Sequence, residues 1–390
     1  MPSRDDPVLI IGGGHAGFNA AVALRQHDYV GLITLITAED ELPYQRPPLS
    51  KAYLSGAMSA DRLAFRPAQF YERKGIELRC REPVRAVDRH RKCVVLESGD
   101  LLPYSHLVVA TGLTPRTTTV PGSDLENVFQ IYQRADSDAI RRPLAHAREI
   151  VVVGGGFVGL EFAAYARAQG KQVTVLQSSS RLMARAVTPP ISDFFVRQHR
   201  AWGSTVMLDA RAKRIVSDGG KLARGVELVD QSVVPADLVV VGIGATPNIE
   251  LAVDAGLAAD QGGIIVDAHL RTSDPSVYAI GDCASYPFRG RRTRHECVEN
   301  AVGHAHAVAA TIASDAETEY VHIPTFWSDQ QDLKLQIAGD WTSCDHTEVL
   351  GDPAERSFSV NCYRDGELIA VESVNRPRDH IQARKRLVGS

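Results

Sequence analysis

Residues 8–39 read VLIIGGGHAGFNAAVALRQHDYVGLITLITAE, and the order of residue types in that stretch decides the fold. Four apolar residues, Val8–Ile11, read as a buried parallel strand. Gly12, Gly14 and Gly17 follow in G-x-G-x-x-G spacing around His15 and Ala16, and Phe18–Leu24 continues as a helix. The three glycines serve a tight turn, close backbone approach to a pyrophosphate, and close packing of helix on strand. The helix N-terminus offers unpaired N–H groups and a positive dipole end to the phosphates. Leu32–Thr37 supplies a second strand, and Glu39 stands about 20 residues beyond the last glycine, where a ribose-binding carboxylate belongs. A glycine pattern alone is equally a structural turn. Strand, helix, strand and acid in that order read as a dinucleotide site.

The same arrangement returns at residues 150–177, IVVVGGGFVGLEFAAYARAQGKQVTVLQ. Gly154, Gly156 and Gly159 repeat the spacing between a strand (Ile150–Val153) and a helix (Phe157–Ala168), and Gln172–Leu176 is the next strand. Two such units imply two nucleotides in one protein, and a flavin dinucleotide with a nicotinamide dinucleotide is the usual pair. A duplication with one empty site is the bland alternative. After the second unit's last strand stands Gln177, where a carboxylate would select NAD and a cation the 2′-phosphate of NADP. Gln177 does neither strongly. Arg181 and Arg185 lie downstream, within reach of a phosphate or as ordinary surface residues.

Between the units, Pro47–Pro48 is expected to fix an extended segment before a short helix from about Ser50, with Arg46 and Lys51 flanking it. LVVATG (107–112) is an apolar strand ending in small residues, suited to passing beneath a ligand. VYAIGD (277–282) ends a strand in Gly281 and Asp282, an acid that needs donors if buried. FRGRRTR (288–294) holds Arg289, Arg291, Arg292 and Arg294, either a solvated face or a docking patch for an acidic partner. A helix from about Glu296 to Ile312 follows. From about Thr325 the segments LKLQIAG, FSVNCYR and LIAVESV alternate as strands of a small α+β domain.

Composition limits the remaining classes. A chain of 390 residues exceeds one ordinary core, so two or three domains are expected. Apolar residues make up 44% and charged residues 23%, with a net charge of −4, which suits a soluble globular protein without bulk attraction to nucleic acid or membrane. No stretch is apolar enough to span a bilayer, and MPSRDDPVLI shows no signal segment. The six cysteines include no C-x-x-C, which argues for a reducing compartment, so a cytoplasmic location is expected. The thirteen histidines are scattered, and His304/His306 is not a zinc spacing, so no metal site is expected.

The markers GGGHAG, LPYQRPPLSK, LVVATG, GGGFVGLE, GIGATPN, VYAIGDCA, FWSDQ and VNRPRD together resemble the FAD-dependent ferredoxin reductases, the kind that includes putidaredoxin reductase and the reductase components of aromatic-ring dioxygenases. LPYQRPPLSK and FWSDQ are the specific ones, since the glycine motifs are shared with disulfide reductases and oxidases. The resemblance runs from Val8 to about Ala383. It implies an α/β fold with two Rossmann-like, glutathione-reductase-like dinucleotide domains and a small C-terminal α+β domain. The implied division is an FAD domain in two segments (1–112 and 246–322), an NAD(P) domain (113–245) and a C-terminal domain (323–390).

By the same resemblance, FAD is held by Gly12, Gly14, His15, Ala16, Gly17, Ala38 and Glu39, by Arg46, Lys51, Val84, Ala110, Thr111, Gly112 and Arg134, and by Gly281, Asp282, Cys297, Val298 and Trp327. NADH, with NADPH still open, is held by Gly154, Gly156, Phe157, Val158, Gly159, Glu161, Gln177, Arg185, Gly244 and Glu296. Lys51 and Glu161 would meet near flavin N5, and Trp327 would lie beside the ring. Hydride would pass from nicotinamide to flavin, then single electrons to a [2Fe–2S] ferredoxin docked on the four arginines, feeding a dioxygenase or a cytochrome P450. The chain departs from the pattern in two places. Ala38 stands where the family has an acid, so Glu39 must serve, and Gln177 replaces the NADH-selecting acid.

Two rivals stay open at this level. One is an NADH oxidase of the same fold; the other is a redox-responsive binding protein like apoptosis-inducing factor, which shares the flavin core. A thiol relay is not expected, because no cysteine lies within Leu42–Lys51. Cys283 reads as a small packing residue, as does Cys297.

Overall fold

VLII, ITLI and HLVV are buried at every position, as parallel strands covered on both faces must be. In the computed structural model, which describes residues 5–116, 118–314 and 319–388, they lie side by side, with Val8 level with Ile33 on one side and His106 on the other. The first four residues of the N-terminal stretch lie outside the described residues. Ile76–Arg79 and Val277–Ala279 complete a five-stranded parallel sheet in the order 277–279, 106–109, 8–11, 33–36, 76–79. Helices His15–Gln26 and Val298–Ser314 share its core through small residues, Ala16, Ala20 and Ala23 with Ala301, Ala305 and Ala309. These elements belong to one compact unit, Met1–Gln45, Ser59–Thr114 and Thr246–Pro324.

The second unit comprises Arg46–Met58, Pro115–Ala245 and Thr325–Ser390. Its parallel sheet runs 205–207, 172–176, 149–153, 238–241, 128–129, with helix Phe157–Ala168 following the strand Glu149–Val153. The C-terminal part is a five-stranded antiparallel sheet in the order 325–330, 333–339, 367–374, 357–364, 346–352, followed by helix Pro377–Val388. Phe194 and Phe195 of helix Pro189–Ala201 share one apolar cluster with Leu335, Phe358 and Val374 of that sheet. Cys362 is buried in the same cluster, and Cys283 in the first unit's core.

Three local expectations need correction. Pro47–Pro48 does not hold the chain extended: Pro47–Ser50 is a 3-10 helix with the prolines at its first positions. There the missing N–H would have lacked a partner anyway, and the fixed φ suits the turn. The first helix begins at His15, not Phe18, because Gly14 serves as an extended N-cap. The helix expected from Glu296 begins at Val298 and runs to Ser314, leaving Glu296 and Cys297 ahead of it.

Candidate functional site

The first glycine-rich loop separates into internal and external demands. Gly12 sits at φ +116°, and a Cβ there would lie 2.1 Å from the Ala110 carbonyl oxygen. A Cβ on Gly17 would lie 1.9 Å from the Gly12 oxygen. Both glycines are therefore forced by the protein's own backbone. Gly14 is different. Its φ of −75° suits any residue, and no atom of the described residues beyond its chain neighbours lies within 4 Å of the site a Cβ would fill. The helix beginning at His15 also has no side-chain cap and no acid in its first turn. This is a cradle for an anion.

The second loop has the same division. Gly154 (φ +109°) would bring a Cβ to 2.2 Å from the Gly242 oxygen, and Gly159 to 2.5 Å from the Gly154 oxygen. Around Gly156 the nearest atom is the Gly242 oxygen at 3.9 Å, and helix Phe157–Ala168 has neither a side-chain cap nor a first-turn acid. The residues of both loops fit a phosphate-bearing nucleotide.

Ala38 is exposed and Glu39 half-buried at the end of strand Ile33–Ile36, and the Tyr44 hydroxyl donates to Glu39 Oε2 at 2.6 Å. The His15 ring packs edge-on against Phe65 at 4.9 Å. A Cβ on Gly281 would lie 2.8 Å from that of Ala16, so the 3-10 turn carrying Asp282 passes tightly against the first helix. Gly281 N–H donates to His304 Nδ1 at 3.1 Å. Burial holds His304 neutral, its pKa depressed to about 3. Beyond buried Ala110, Thr111 Oγ1 donates to the Asn248 carbonyl and Asn248 Nδ2 to the Thr111 carbonyl, both at 2.8 Å, while Asn248 N–H donates to the Gly112 carbonyl at 3.0 Å. Val84 opens strand Val84–Asp88, half-buried, and Val298 opens the helix after Cys297.

The four arginines are not equivalent. Arg292 donates to the carbonyls of Val266 (3.0 Å) and Ser285 (2.7 Å), so it ties its hairpin to a neighbouring strand. Arg294 bonds the Asp282 carbonyl at 3.2 Å and pairs with Glu296 at 2.8 Å. Arg289, Arg291 and Arg292 are exposed at the hairpin, and Arg294 is half-buried.

In the second unit the segment Arg46–Met58 brings two expected cations into view. Arg46 stacks over the Tyr132 ring at 4.4 Å and donates to its carbonyl at 2.9 Å. Arg134 pairs with Asp138 at 3.7 Å. Lys51 Nζ lies 3.0 Å from Glu161 Oε1, joining a loop and a helix 110 residues apart in sequence. Two residues given no site role in the sequence reading complete this group: Ser50 Oγ donates to Glu161 Oε2 and Ser328 Oγ to Oε1, each at 2.7 Å. Burial pushes the Glu161 carboxyl above its ordinary range, against the pull of Lys51 and the two serines. Ser328 lies in FWSDQ beside half-buried Trp327, and Phe326 packs on Phe157 with rings 4.3 Å apart. No local signal marks Ser50 or Ser328.

Gln177 turns inward. Its Oε1 accepts Gly155 N–H at 2.8 Å and its Nε2 donates to Ser179 Oγ at 2.5 Å. Arg181 donates to the carbonyls of Ala184 (3.1 Å) and Val187 (3.4 Å). The Arg185 guanidinium approaches Gly244, 3.1 Å from where its Cβ would stand, and Val158 is exposed at the helix start.

Residues 6–305 match the family profile of pyridine nucleotide-disulphide oxidoreductases, and residues 325–389 match the reductase C-terminal domain. The chain belongs to this family. Within the pyridine nucleotide-disulphide oxidoreductases it is similar to rhodocoxin reductase of Rhodococcus erythropolis, 44% identical over 97% of this chain and 88% of that protein. It is similar also to the 5,5'-dehydrodivanillate O-demethylase ferredoxin reductase subunit of Sphingobium sp., 42% identical over 100% of this chain and 94% of that protein. Among solved structures, the ferredoxin reductase for the CYP199A2 system from Rhodopseudomonas palustris superposes with a TM-score of 0.96 at 45% identity, covering 98% of this chain and 95% of that one. Putidaredoxin reductase in its covalent complex with putidaredoxin gives 0.95 at 35% identity, covering 98% and 93%. No helix among the described residues is long and apolar enough to cross a membrane.

Proposed function

We propose that this chain is an NAD(P)H:ferredoxin oxidoreductase that works with FAD, prefers NADH, and feeds an oxygenase system. The carrying observation is the pair of loops in which Gly12, Gly17, Gly154 and Gly159 are demanded by the backbone while Gly14 and Gly156 border open space beneath uncapped helices. Flavin and NAD(P)H use follow from the family, and the ferredoxin partner from relatives named ferredoxin reductases. When bound, a flavin supplies the conversion between two-electron and one-electron chemistry.

The chain's own residues then have separable roles. In this reading residues 1–112 and 246–322 hold FAD, 113–245 the nicotinamide nucleotide, and 323–390 complete the protein. Gly14 and the His15 helix receive the FAD pyrophosphate, Glu39 its ribose, and Asp282 the ribityl hydroxyls, with the other residues assigned by resemblance around them. Gly156 and the Phe157 helix receive the second pyrophosphate. Lys51, held by Glu161, orients the flavin's reactive edge, with Trp327 beside it. The NADH preference is supported by Arg181, whose guanidinium is spent on carbonyls of its own loop rather than left for a 2′-phosphate. An acidic ferredoxin would dock on the patch of Arg289, Arg291, Arg292 and Arg294, of which Arg292 and Arg294 also brace the fold.

The test is reduction of cytochrome c by the yellow holoprotein with NADH or NADPH, with and without a [2Fe–2S] ferredoxin. A large ferredoxin-dependent rate, greater with NADH and falling with salt, is expected. A flavin reduced by NADH with no gain from ferredoxin, and rapid oxygen uptake, would replace this reading by an oxidase.

A further inference from the structure

Glu161 carries more polar contacts than an ion pair needs. The residue is 7% exposed, and both carboxylate oxygens are engaged: Oε1 by Lys51 Nζ (3.0 Å) and Ser328 Oγ (2.7 Å), Oε2 by Ser50 Oγ (2.7 Å). The donors reach it from two directions in sequence, Ser50 and Lys51 from the 3-10 turn and Ser328 from the first C-terminal strand. Behind Ser328 the bonds continue: Gln330 Nε2 donates to Ser328 Oγ at 3.3 Å, and His199 Nε2 meets Gln330 Oε1 at 2.8 Å. Ser328, Gln330 and His199 are at most 1% exposed.

The direction of each bond follows from chemistry. An amide oxygen only accepts, so His199 must carry its proton on Nε2. Burial keeps that ring neutral, its pKa depressed to about 4. Gln330 then donates to Ser328, and Ser328 donates its own proton to Glu161, whose ionised oxygens only accept. Every dipole in the row points its positive end at the carboxylate, and bonds in such a row strengthen one another.

We propose that Ser328 and Ser50 are positioning residues for the redox reaction, clamping ionised Glu161 so that it holds Lys51 in one place, with Gln330 and His199 orienting Ser328 from behind. The C-terminal strand thereby becomes a working part of the reaction centre. The proposal rests on the reading that Lys51 and Glu161 serve the flavin. Among the described residues, the ionisable groups bonded into this cluster are Lys51 at the end of the 3-10 turn and His199 from helix Pro189–Ala201; Asp329 alternates to the opposite face of its strand.

The experiment compares holoprotein of the wild type, E161Q, S328A, S328T, S50A and Q330M by two readouts across pH. One is the single-turnover rate of flavin reduction by NADH. The other is denaturant unfolding, where the difference between a variant and its E161Q counterpart titrates with Glu161. In the wild type, reduction slows as pH falls through the Glu161 pKa. Losing one hydrogen bond to a charged group raises that pKa by about one unit. S328A and S50A are therefore expected to move the acid limb of both readouts about one pH unit upward. S328T restores it, and Q330M moves it the same way by less. If S328A and S50A leave both limbs in place while E161Q abolishes them, the proposal is overturned. If the serine variants move the unfolding titration while E161Q reduces its flavin at the wild-type rate at every pH, the clamp stands but the reading of the ion pair as part of the flavin site fails.

Discussion

Gly12 and Gly154 hold φ of +116° and +109°, and each would drive a Cβ into a carbonyl oxygen of the next parallel strand's end, at 2.1 and 2.2 Å. Up to this point the two loops are one solution written twice. They part at the end of the following strand. In the first unit Glu39 presents a carboxylate braced by the Tyr44 hydroxyl. In the second, Gln177 spends its amide on Gly155 N–H and Ser179, gripping the loop itself. In the proposed function the backbone fixes where a pyrophosphate would sit, and the side chain after the strand decides which ribose would be accepted. These are separate choices, and variants can move one without the other.

The largest effect should follow from breaking what the loops share. Gly12→Ala and Gly154→Ala force a side chain into positive φ and against a carbonyl, at a cost of up to about 6 kcal/mol from strain and overpacking combined. Gly14→Ala and Gly156→Ala meet ordinary φ and open space, so denaturant unfolding should shift by under about 1 kcal/mol. Their effect is expected on ligands instead: flavin lost during purification for G14A, and a raised KM for the nicotinamide nucleotide with flavin retained for G156A. Equal stability losses in all four variants would refute the distinction between internal and external glycines.

A second contrast is of opposite sign in pH. The first unit buries His304 as a neutral acceptor for Gly281 N–H, its pKa depressed to about 3. Its contribution is present above the unfolded value near 6.5 and is lost as pH falls toward 3, by up to about 5 kcal/mol. The second unit buries Glu372, which accepts from Thr188 N–H at 3.0 Å ahead of helix Pro189–Ala201, and burial raises its pKa to about 7. That contribution is present below about 4.5 and is lost as pH rises through 7, by about 3 kcal/mol. Unfolding free energies measured against pH should therefore lose their acid-side dependence in H304Q and their neutral-side dependence in E372Q. Two variants with parallel pH curves would show that neither burial governs its unit.

What could be read without the structure follows the same physical line. Glycine spacing and apolar runs are local consequences of backbone sterics and two-faced burial, so both dinucleotide units and the C-terminal strands were legible in one dimension. The clamp on Glu161 was not. Ser50, Lys51 and Ser328 meet it across separations of 111, 110 and 167 residues, and a serine in a turn or strand more often serves its own backbone. Pro47–Pro48 was misleading because proline excludes a helix interior but suits a helix start. FRGRRTR read as four equal charges, while Arg292 and Arg294 answer to the carbonyls of Val266 and Asp282, which only folding brings near, and Arg294 also to Glu296 two residues on.

The smallest and most discriminating change addresses the divergence itself. Gln177→Glu keeps an oxygen for Gly155 N–H, and Ser179, whose hydroxyl donates to the Arg181 carbonyl at 3.1 Å, can turn it to the new carboxylate at the expense of that one bond. The loop should therefore keep its shape, and kcat/KM for NADH should change by no more than about twofold. The added charge stands at the strand end where a 2′-phosphate would be recognised, so kcat/KM for NADPH should fall by about tenfold, roughly 1.4 kcal/mol of selective repulsion. The reciprocal change, Glu39→Gln, removes the first unit's carboxylate and should weaken flavin retention by a comparable factor without touching nucleotide choice. If Q177E left the ratio of the two nucleotides unaltered, Gln177 would be a brace for Gly155 alone, and selection would lie instead with Arg185 beside Gly244, which an Arg185→Ala variant would then have to show.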